Sequence, residues 1–279
     1  MFMPHGSCRW RAWGAYRCFH RSKPLLDHAK SGNSPEVPQE LLVPAQILAV
    51  RNLTPKIKEL KLQVEEHSGF TFKAGNWVDF FIDQDGVSKV GGYSMSSIPS
   101  SLPELRLAVK TSRHPPAQWC HTLAQPGKWV KLKAGGSFYF DAYEHGRHLK
   151  HLIFIAGGIG INPIFSMLQE ALHDQHELRS LERITLLYSA STADEMAYRT
   201  DLMALAATHP LLDLELRVTR DETWLGARGR LNMEQLRRHL GEDKRLVYLC
   251  GPPAMTDQLV EDLQREGLAM SDLRYEKWW

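Results

Sequence analysis

Residues 155–163 read Ile-Ala-Gly-Gly-Ile-Gly-Ile-Asn-Pro, and this stretch decides the fold of the second half of the chain. The apolar residues 152–155 lead into it without a break, which predicts a short strand covered on both faces of a sheet. Apolar residues at helical spacing follow at 164–172, so the glycines form a turn between a strand and a helix. Asn162 is expected to be the N-cap of that helix and Pro163 its first residue.

A glycine-rich turn between a strand and a helix suits a phosphate group. Glycine lets the backbone approach a ligand closely, and the free N–H groups and the positive dipole end of the helix face the turn. The alternative is that the glycines only permit close packing of the two elements. The context favours nucleotide binding, and the candidate residues are Gly157, Gly158, Ile159, Gly160, Ile161, Asn162 and Pro163.

Strands and helices alternate after residue 150. Apolar strands are predicted at 184–188, 212–218 and 246–250. The predicted helices carry Met196, Leu202, Leu205 and Ala206, then Leu236 and Leu240, and finally Met255, Leu259 and Leu263 before Gly267. Such alternation predicts a doubly wound parallel sheet over residues 146–279.

Residues 43–145 follow a period of two instead. Apolar residues alternate with polar ones at 60–64 and 105–109, and 77–82 is a strand-like aromatic run. Val130 with Leu132, and Phe138 with Phe140, continue the pattern, while Ser68-Gly69, Asp85-Gly86, Pro126-Gly127 and Gly135-Gly136 mark turns. About six short strands, with one helix near 117–123, predict an antiparallel barrel or sandwich.

Composition excludes several classes of protein. At roughly 150 residues per domain, 279 residues make about two domains. Lys and Arg number 34 and Asp and Glu 32, so the net charge of +2 offers no basic excess for nucleic acid. Cys8, Cys18, Cys120 and Cys250 form no Cys-x-x-Cys pair, which argues against an iron–sulfur cluster and a disulfide framework. No apolar run approaches the roughly 18 residues of a membrane span, so no integral membrane segment is expected.

The N-terminal segment has its own character. Residues 1–26 contain five Arg or Lys residues and no acid, with aromatic residues at helical spacing among the arginines. This pattern favours a mitochondrial presequence over a secretory signal, and a tail of chance composition is the alternative. Residues 27–42 are rich in Gly, Ser, Asn and Pro and predict a linker, so 1–42 are presequence and linker.

Three further stretches carry chemistry. Residues 248–255, Tyr-Leu-Cys-Gly-Pro-Pro-Ala-Met, predict a second strand–turn–helix, in which Gly251, Pro252 and Met255 are candidate ligand contacts. Cys250 within it is either a small buried side chain or a sulfur beside a cofactor. Residues 91–99 form a hydroxyl-rich strand, and the terminal Glu276-Lys277-Trp278-Trp279 places two indoles where they cap a core or stack on a flat ligand.

These motifs, in this order, resemble those of the ferredoxin–NADP⁺ reductase superfamily. Its Arg-x-Tyr-Ser motif is similar to residues 91–94, its Gly-Gly-x-Gly-x-Thr-Pro loop to 157–163, and its Cys-Gly-Pro-Pro turn to 250–253. Its terminal Glu-x-aromatic is similar to 276–278. The resemblance covers residues 43–279. It implies a six-stranded FAD-binding-type β-barrel (43–145) followed by a Rossmann-like NAD(P)-binding α/β domain (146–279).

The resemblance also implies roles on the flavin side. Tyr93 would stack on the flavin ring and the hydroxyl of Ser94 would bond flavin N5, with Ser96 and Ser97 as further candidate contacts. The superfamily arginine that holds the FAD pyrophosphate is replaced here by Gly91.

A second departure from the superfamily lies near the predicted helix at 117–123. The superfamily's second phosphate loop, Gly-x-x-Ser, falls at 115–118, where no serine stands. Lys110, Arg113 or His114 could supply replacement charge, or each is simply a solvated side chain. Flavin binding is therefore less well supported by the sequence than nucleotide binding.

On the nucleotide side, the resemblance implies that the phosphates of NAD(P) lie on residues 157–162. The nicotinamide would approach Cys250 and Glu276, with Trp278 or Trp279 over the flavin face, so these four residues and Ser94 are the candidate catalytic residues. The protein would align the two rings, while the hydride chemistry belongs to the cofactors.

Thr219-Arg220 resembles a Ser-Arg pair that holds the 2′-phosphate of NADP in some members, although an exposed loop arginine is equally possible. A narrower, mitochondrial group within the superfamily resembles the chain at residues 114–116 and in its Glu-Lys-Trp-Trp ending. That likeness favours NAD over NADP and a mitochondrial location.

Two functions follow. The first is a flavin-dependent oxidoreductase that transfers hydride between NAD(P)H and FAD and passes electrons to an unidentified external acceptor. The second is an NAD(P)-binding sensor or scaffold with a degenerate flavin site. No metal site is expected, because His145, His148 and His151 run through a predicted loop and His-Glu-x-x-His is absent. No Gly-x-Ser-x-Gly elbow supports a hydrolase.

Overall fold

The computed structural model describes residues 42–84, 86–145, 148–174, 176–241 and 244–278. Residues 1–41, which hold the predicted presequence and nearly all of the predicted linker, lie outside this part, and so does Trp279. Within the described residues the chain builds two six-stranded sheets, the first antiparallel and the second parallel.

The first sheet is the predicted barrel. Its strands are β1 (Val43–Thr54), β2 (Ile57–Val64), β3 (Trp77–Gln84), β4 (Val87–Ser94), β5 (Glu104–Lys110) and β6 (Trp129–Gly135). They lie in the order β4-β3-β6-β1-β2-β5, with every neighbouring pair antiparallel. Met95, just after β4, forms a bridge with Leu107 of β5, so the two edges of the sheet meet and the barrel closes.

The alternating pattern forms the barrel core. In β2, Leu60, Leu62 and Val64 are buried while Lys61 and Gln63 between them are half-exposed, because successive side chains of a strand point to opposite faces. All four predicted turns contain a glycine at positive φ, namely Gly69, Gly86, Gly127 and Gly136. The sequence therefore predicts both the strands and the places where they turn.

One helix, α1 (Pro115–Thr122), packs against the barrel. Trp119 is 5% exposed, and its ring lies 6.2 Å, centroid to centroid, from that of Phe80 in β3. The helix begins two residues before the predicted start at 117, because prolines are well suited to its first turn.

The prediction of a strand at Phe138 and Phe140 is wrong. These residues lie in the connection between β6 and α2 (Ala142–His145). Their rings pack edge-on against Tyr248 of the second sheet, at 5.7 and 6.0 Å between centroids. The alternation of apolar residues arises because two aromatic side chains anchor the connection to the core of the parallel sheet.

The second sheet is parallel and begins after residue 150. Its elements are β7 (His151–Gly157), α3 (Ile161–His173), β8 (Arg183–Ala190), α4 (Arg199–Thr208), β9 (Leu212–Val218), β10 (Ala227–Arg228), α5 (Met233–Leu240), β11 (Arg245–Gly251), α6 (Pro253–Arg265) and β12 (Leu273–Lys277). The strand order is β10-β9-β8-β7-β11-β12, and each neighbouring pair is parallel.

Helices cover both faces of this sheet. The apolar faces of α3 and α4 pack into one core with β7, β8 and β11, and those of α5 and α6 pack into another. Every residue of β7 is buried, as expected for a central strand covered on both sides. The doubly wound fold is confirmed. The first sheet ends at Gly135 and the second begins at His151, and the domain boundary at 145/146 stays a prediction.

Met196 lies outside its predicted helix. It is buried in the turn before α4, which begins at Arg199. Tyr198 adopts a left-handed φ of 59°, which prevents the helix from continuing toward its N-terminus. Among the residues that the structure describes, no helix is both long and apolar enough to cross a lipid bilayer.

Candidate functional site

The two glycine-containing turns lie side by side at the carboxyl edge of the parallel sheet. From β7 the chain moves outward through β8 and β9, then returns to place β11 on the other side of β7. The strand order therefore reverses between β7 and β11, and open α/β sheets bind ligands at such a point. Residues 158–160 follow β7, and residue 252 follows β11.

Three glycines allow these two turns to pack closely. A Cβ atom on Gly160 would lie 2.4 Å from the carbonyl oxygen of Cys250, and one on Gly157 would lie 2.5 Å from Sδ of Met255. A Cβ on Gly251 would lie 3.2 Å from Cα of Gly157. At these positions glycine serves close packing, which is the alternative that the sequence left open.

Gly158 differs from its neighbours. Its φ is +55°, and apart from its own backbone and chain neighbours no atom lies within 4 Å of the position that a Cβ would take. It faces open space before α3, where the positive end of the helix dipole favours an anion. In the first turn, the N–H of Ile161 already donates to the carbonyls of Gly158 and Ile159, and Pro163 has no N–H. The turn therefore has one open side, at Gly158, and a phosphate fits there.

Asn162 is not an N-cap. Helix α3 starts at Ile161 after Gly160, and Asn162 and Pro163 lie inside its first turn. The side chain of Asn162 is buried and its Nδ2 donates a hydrogen bond to the carbonyl of Ala108 in β5, at 2.7 Å. Its Oδ1 is buried without a hydrogen-bond partner.

Asn162 belongs to a stripe of polar side chains along α3 that the sequence reasoning missed. The stripe is spaced at i, i+4 and i+7, so its members share one face of the helix. Its hydrogen bonds run from Asn162 to the carbonyl of Ala108 (2.7 Å), from Ser166 to that of Ser97 (2.6 Å) and from Gln169 to that of Ser96 (2.9 Å). The helix that begins at the open turn is thus fixed to the barrel. The only signal in the sequence is this spacing of polar residues beside the apolar face.

The predicted flavin contacts Ser96 and Ser97 are engaged within the protein. The hydroxyl of Ser96 donates to the carbonyl of Arg106, and that of Ser97 accepts from the backbone N–H of Arg106. Both residues are buried. They connect the segment after β4 to β5, so the structure gives them a packing role.

The turn after β11 is closely packed. Cys250 is fully buried, with its side chain in the same core as α3, which agrees with the simpler of its two interpretations. Pro252 is the N-cap of α6, and its Cδ lies 3.0 Å from the Cβ position of Gly157. Met255, one turn into α6, covers Gly157.

Glu276 and Trp278 form a pair at the end of β12. The indole Nε1–H donates to Oε2 of Glu276 at 2.6 Å, and the backbone N–H of Trp278 donates to the carbonyl of Gly251 at 2.9 Å. Burial raises the pKa of Glu276 to about 7, although the hydrogen bond from Trp278 opposes the shift. The indole lies against β4, with Cη2 3.6 Å from the Cβ position of Gly92.

Thr219 and Arg220 lie at the same edge of the sheet, directly after β9. Their backbone N–H groups donate to the carbonyls of Ala190, the last residue of β8, and of Ser191, which follows it. Both residues are exposed. Since β9 lies two strands from β7, this loop is about 10 Å along the edge from Gly158.

Tyr93 lies in β4 with its hydroxyl end buried. Its ring is half-exposed and meets Phe80 edge-on, at 5.7 Å between centroids. A Cβ on Gly91 would lie 2.8 Å from Oη of Tyr93 and 3.0 Å from Cβ of Pro116. Burial raises the pKa of the phenol, and Oη has no hydrogen-bond partner. The hydroxyl of Tyr93 therefore fills the space that a side chain at position 91 would use. Ser94, next along the strand, is buried.

Comparison with known proteins places the chain in a family. The family model described as "Oxidoreductase NAD-binding domain" matches residues 154–261, from inside β7 to inside α6. A protein of Danio rerio named oxidoreductase NAD-binding domain-containing protein 1 is 35% identical over 274 residues, which are 92% of this chain and 99% of that protein. This chain belongs to the oxidoreductase NAD-binding domain-containing protein 1 family. The Homo sapiens member is 35% identical over 276 residues, or 93% of this chain and 86% of that protein.

Solved structures agree on the fold of this family member. A ferredoxin NADP⁺ reductase from Neisseria gonorrhoeae with bound FAD and NADP has a TM-score of 0.73 at 21% identity, covering 86% of this chain and 99% of that one. The cytochrome b5 reductase domain of Ulva prolifera nitrate reductase has a TM-score of 0.72 at 21% identity, covering 87% and 100%. The barrel followed by a parallel sheet is therefore the two-domain fold of these reductases. The family name supports the oxidoreductase class.

Proposed function

We propose that this protein is an NAD(P)H-dependent flavin oxidoreductase, which transfers hydride from NAD(P)H to a flavin and passes the electrons to an acceptor outside the chain. The observation that carries the proposal is the open side of the turn at Gly158. It lies before α3, at the point where the strand order reverses.

The residues along the sheet edge fit an extended dinucleotide. The pyrophosphate fits against Gly158, and the adenosine end then extends toward Thr219 and Arg220 on one side of β7. The nicotinamide end extends toward Glu276 and Trp278 on the other side, since β12 follows β11 in the sheet. NAD(P)H supplies a hydride when bound. The exposed Arg220 suits a 2′-phosphate, whereas the family name favours NAD.

The part of the protein in this reaction is alignment and exclusion of water. Trp278 covers β4 at Gly92, and the hydrogen bond to Glu276 fixes the plane of its indole. Tyr93, at the next position, presents a half-exposed ring on the other face of the same strand. The indole of Trp278 gives a flat ligand an apolar surface beside the nicotinamide end of the edge.

Oxidation of NADH by the purified full chain tests the proposal. The full chain is mixed with NADH and a flavin without oxygen, and the absorbance bands of both are followed. We expect both bands to fall together, one NADH per flavin. Binding of NADH without any oxidation would contradict the proposal.

A second candidate is an NAD(P)-binding sensor or scaffold. It is favoured by the contact of Trp278 with Gly92 and by the hydroxyl of Tyr93 in the space beside Gly91, which together close part of the flavin-facing strand. For this candidate the same experiment would detect NADH binding, for example through tryptophan fluorescence, with no loss of either absorbance band.

We also propose a mitochondrial location, which the composition of residues 1–26 supports. Fusion of residues 1–42 to a fluorescent protein tests it. A diffuse cytosolic signal would contradict the proposal.

A further inference from the structure

FAD offers a protein two different parts to bind, the flavin ring and an adenosine joined through a pyrophosphate. The pyrophosphate is negatively charged, so it is held best by cationic side chains and by the N–H groups at a helix N-terminus. The ring requires a flat, mainly apolar surface with a few polar groups. The described barrel retains a surface for the ring but not for the pyrophosphate.

The ring surface lies on β4. Tyr93 is half-exposed, and Trp278 lies over its neighbour Gly92 on the other face of the strand, because successive side chains point to opposite faces. The half-exposed ring of Tyr93 is therefore the surface against which a flat ring can pack.

The space beside Gly91 does not accept a phosphate-binding side chain. Oη of Tyr93 and Cβ of Pro116 lie 2.8 and 3.0 Å from the position of a Cβ at residue 91. A longer side chain there would have to displace the Tyr93 ring from Phe80. The tail of a flavin bound at Tyr93 therefore meets an apolar wall.

The helix beside this wall has lost its amide donors. Helix α1 begins with Pro115 and Pro116 at its first two positions, and Pro116 adjoins Tyr93 through the space at Gly91. Proline has no N–H group, so two of the four N–H groups that a helix N-terminus normally presents are missing. The helix terminus nearest to the ring surface is thus a poor phosphate site.

The described cations around α1 are either exposed or already have partners, as Lys58 has in the carbonyl of His121 and Lys128 in the ring of Trp119. Arg113 and His114 are exposed on the loop before α1, and Lys110 is exposed at the end of β5. Lys110 lies near Glu195, whose pKa is lowered first by its hydrogen bond with Lys56 and also by the charge of Lys110. Lys110 is thus already close to a carboxylate.

The cleft beside α1 is also uncharged. It has a volume of about 310 Å³, and its lining consists of amide, hydroxyl and apolar groups with one imidazole, that of His121. Nε2 of His121 already lies 2.9 Å from the carbonyl oxygen of Val109. The groups lining this cleft include no ammonium or guanidinium that could bind a pyrophosphate.

We propose that this chain recognises a flavin by its ring alone, so that riboflavin, FMN and FAD bind with similar affinity and exchange with solution. The inference rests on the proposed function and names its substrate class. Flavin is then a substrate that leaves after reduction, and the purified protein retains little of it.

The reaction balances without a further reactant: NAD(P)H, a proton and oxidised flavin give NAD(P)⁺ and dihydroflavin. The C4–H bond of the nicotinamide breaks, and its two electrons form the N5–H bond of the flavin. The proton comes from water and is added at N1 of the flavin. The dihydroflavin carries the electrons away to an acceptor elsewhere.

Equilibrium dialysis of the full chain against riboflavin, FMN and FAD tests the proposal, at low and at high salt. We expect dissociation constants within about threefold of one another and little effect of salt on the FAD value. A charge-assisted hydrogen bond contributes about 1.5–3 kcal/mol, which is roughly 10- to 150-fold in affinity. FAD binding tenfold or more tightly than riboflavin would therefore overturn the inference.

Substitutions at Tyr93 locate the ring surface. Tyr93→Ala should lower the affinity for all three flavins by the same factor, about tenfold, because a stacking surface is lost. Tyr93→Phe should leave the three affinities unchanged. Tyr143→Ala is the matched control, since Tyr143 is 74% exposed and lies outside the barrel strands. A folded Tyr93→Ala variant with unchanged flavin affinity would also overturn the inference.

Titration of NADH in parallel separates this inference from the proposed function. If the chain does not bind NADH, the proposed function fails. If it binds and oxidises NADH but selects FAD, only the present inference fails. Binding of NADH without affinity for any of the three flavins would overturn the inference as well.

Discussion

Helices α3 and α1 both begin beside proposed ligand positions, and their first turns are built in opposite ways. Helix α3 follows a turn in which Gly158 has positive φ and an open side. Helix α1 starts with Pro115 and Pro116, and Pro116 helps to fill the space beside Gly91. A helix N-terminus binds phosphate where N–H groups and free space coincide. A cleft adjoins α1, but its first two residues have no N–H group, whereas the backbone at Gly158 before α3 faces open space.

The two regions also differ in what their glycines do. Around α3, Gly157 and Gly160 bring two turns together and leave Gly158 open, so close packing creates the site. Around α1, Gly91 makes room for a tyrosine of the same strand, so the missing side chain closes a site. The same residue type therefore has opposite consequences, which depend on what occupies the vacated volume.

The largest effect is expected at Gly160. In Gly160→Ala the new Cβ would lie 2.4 Å from the carbonyl oxygen of Cys250, and the paired strands β7 and β11 resist the shift that relieves it. We expect the free energy of unfolding to fall by about 3 kcal/mol, measured by urea denaturation.

Gly127→Ala is the control for this substitution, since Gly127 has open space around its Cβ position and only its φ of +88° opposes alanine. Its cost should be about 1 kcal/mol. Equal destabilisation by the two substitutions would contradict the packing role of Gly160.

A smaller and more specific effect is expected at Gly158. Asparagine tolerates a left-handed φ, so Gly158→Asn should fold, but its side chain would occupy the space proposed for the pyrophosphate. We expect NADH affinity to fall at least tenfold with little change in melting temperature. The control is Gly267→Asn, at a φ of +85° beyond the far end of α6, which should leave NADH affinity unchanged. Unchanged NADH affinity in Gly158→Asn would show that the phosphate does not bind at this turn.

The sequence predicts the fold well because its signals are local. Alternation in β2, the unbroken apolar run of β7 and the turn glycines each act within a few residues. The predictions are wrong where a contact with a distant part of the chain determines the local structure. Asn162 is a good N-cap residue type, but its side chain instead reaches Ala108, 54 positions earlier. Phe138 alternates as in a strand because Tyr248, more than 100 positions later, holds its ring.

The candidate site follows the same rule. The open turn is local, so the glycine motif predicts it, although the motif does not reveal which glycine is open. Closure of the space at Gly91 depends on Tyr93 and on Pro116, which belongs to another element. The position of the Trp278 ring over Gly92 brings the segment after β12 to the barrel. Neither arrangement produces a periodicity or a residue spacing in the sequence from which it could be predicted.

Restoring an N–H donor to α1 should produce an intermediate effect. Pro115 is exposed, so Pro115→Ala should be tolerated and returns one amide to the first turn. One hydrogen bond contributes about 1 kcal/mol, so the ratio of FAD to riboflavin affinity should rise about fivefold. Pro99→Ala is the control, because Pro99 begins the short helical turn at residues 99–101. An unchanged ratio in Pro115→Ala would indicate that the missing amide is not what limits FAD binding.

The smallest effect is expected at Glu276, where the two regions meet. Its pKa is raised by burial from 4.5 to about 7, so the folded protein binds this proton more tightly than the unfolded chain does. The stability that this group contributes is therefore present below pH 4.5 and is lost as the pH rises toward 7. Glu276→Gln keeps an acceptor for the Trp278 indole but never ionises.

We expect the melting temperature of the wild type to fall more than that of Glu276→Gln between pH 5 and pH 8, by a few degrees. The melting temperature of the variant should therefore rise relative to that of the wild type as the pH rises. Glu222→Gln, at an exposed position, is the control and should follow the wild type at every pH. Parallel curves for Glu276→Gln and the wild type would mean that this carboxyl is solvated, and that Trp278 is not held against β4 by a buried partner. The indole would then be free to leave the strand at any pH, and the closed state of the flavin-facing surface would have to come from Tyr93 alone.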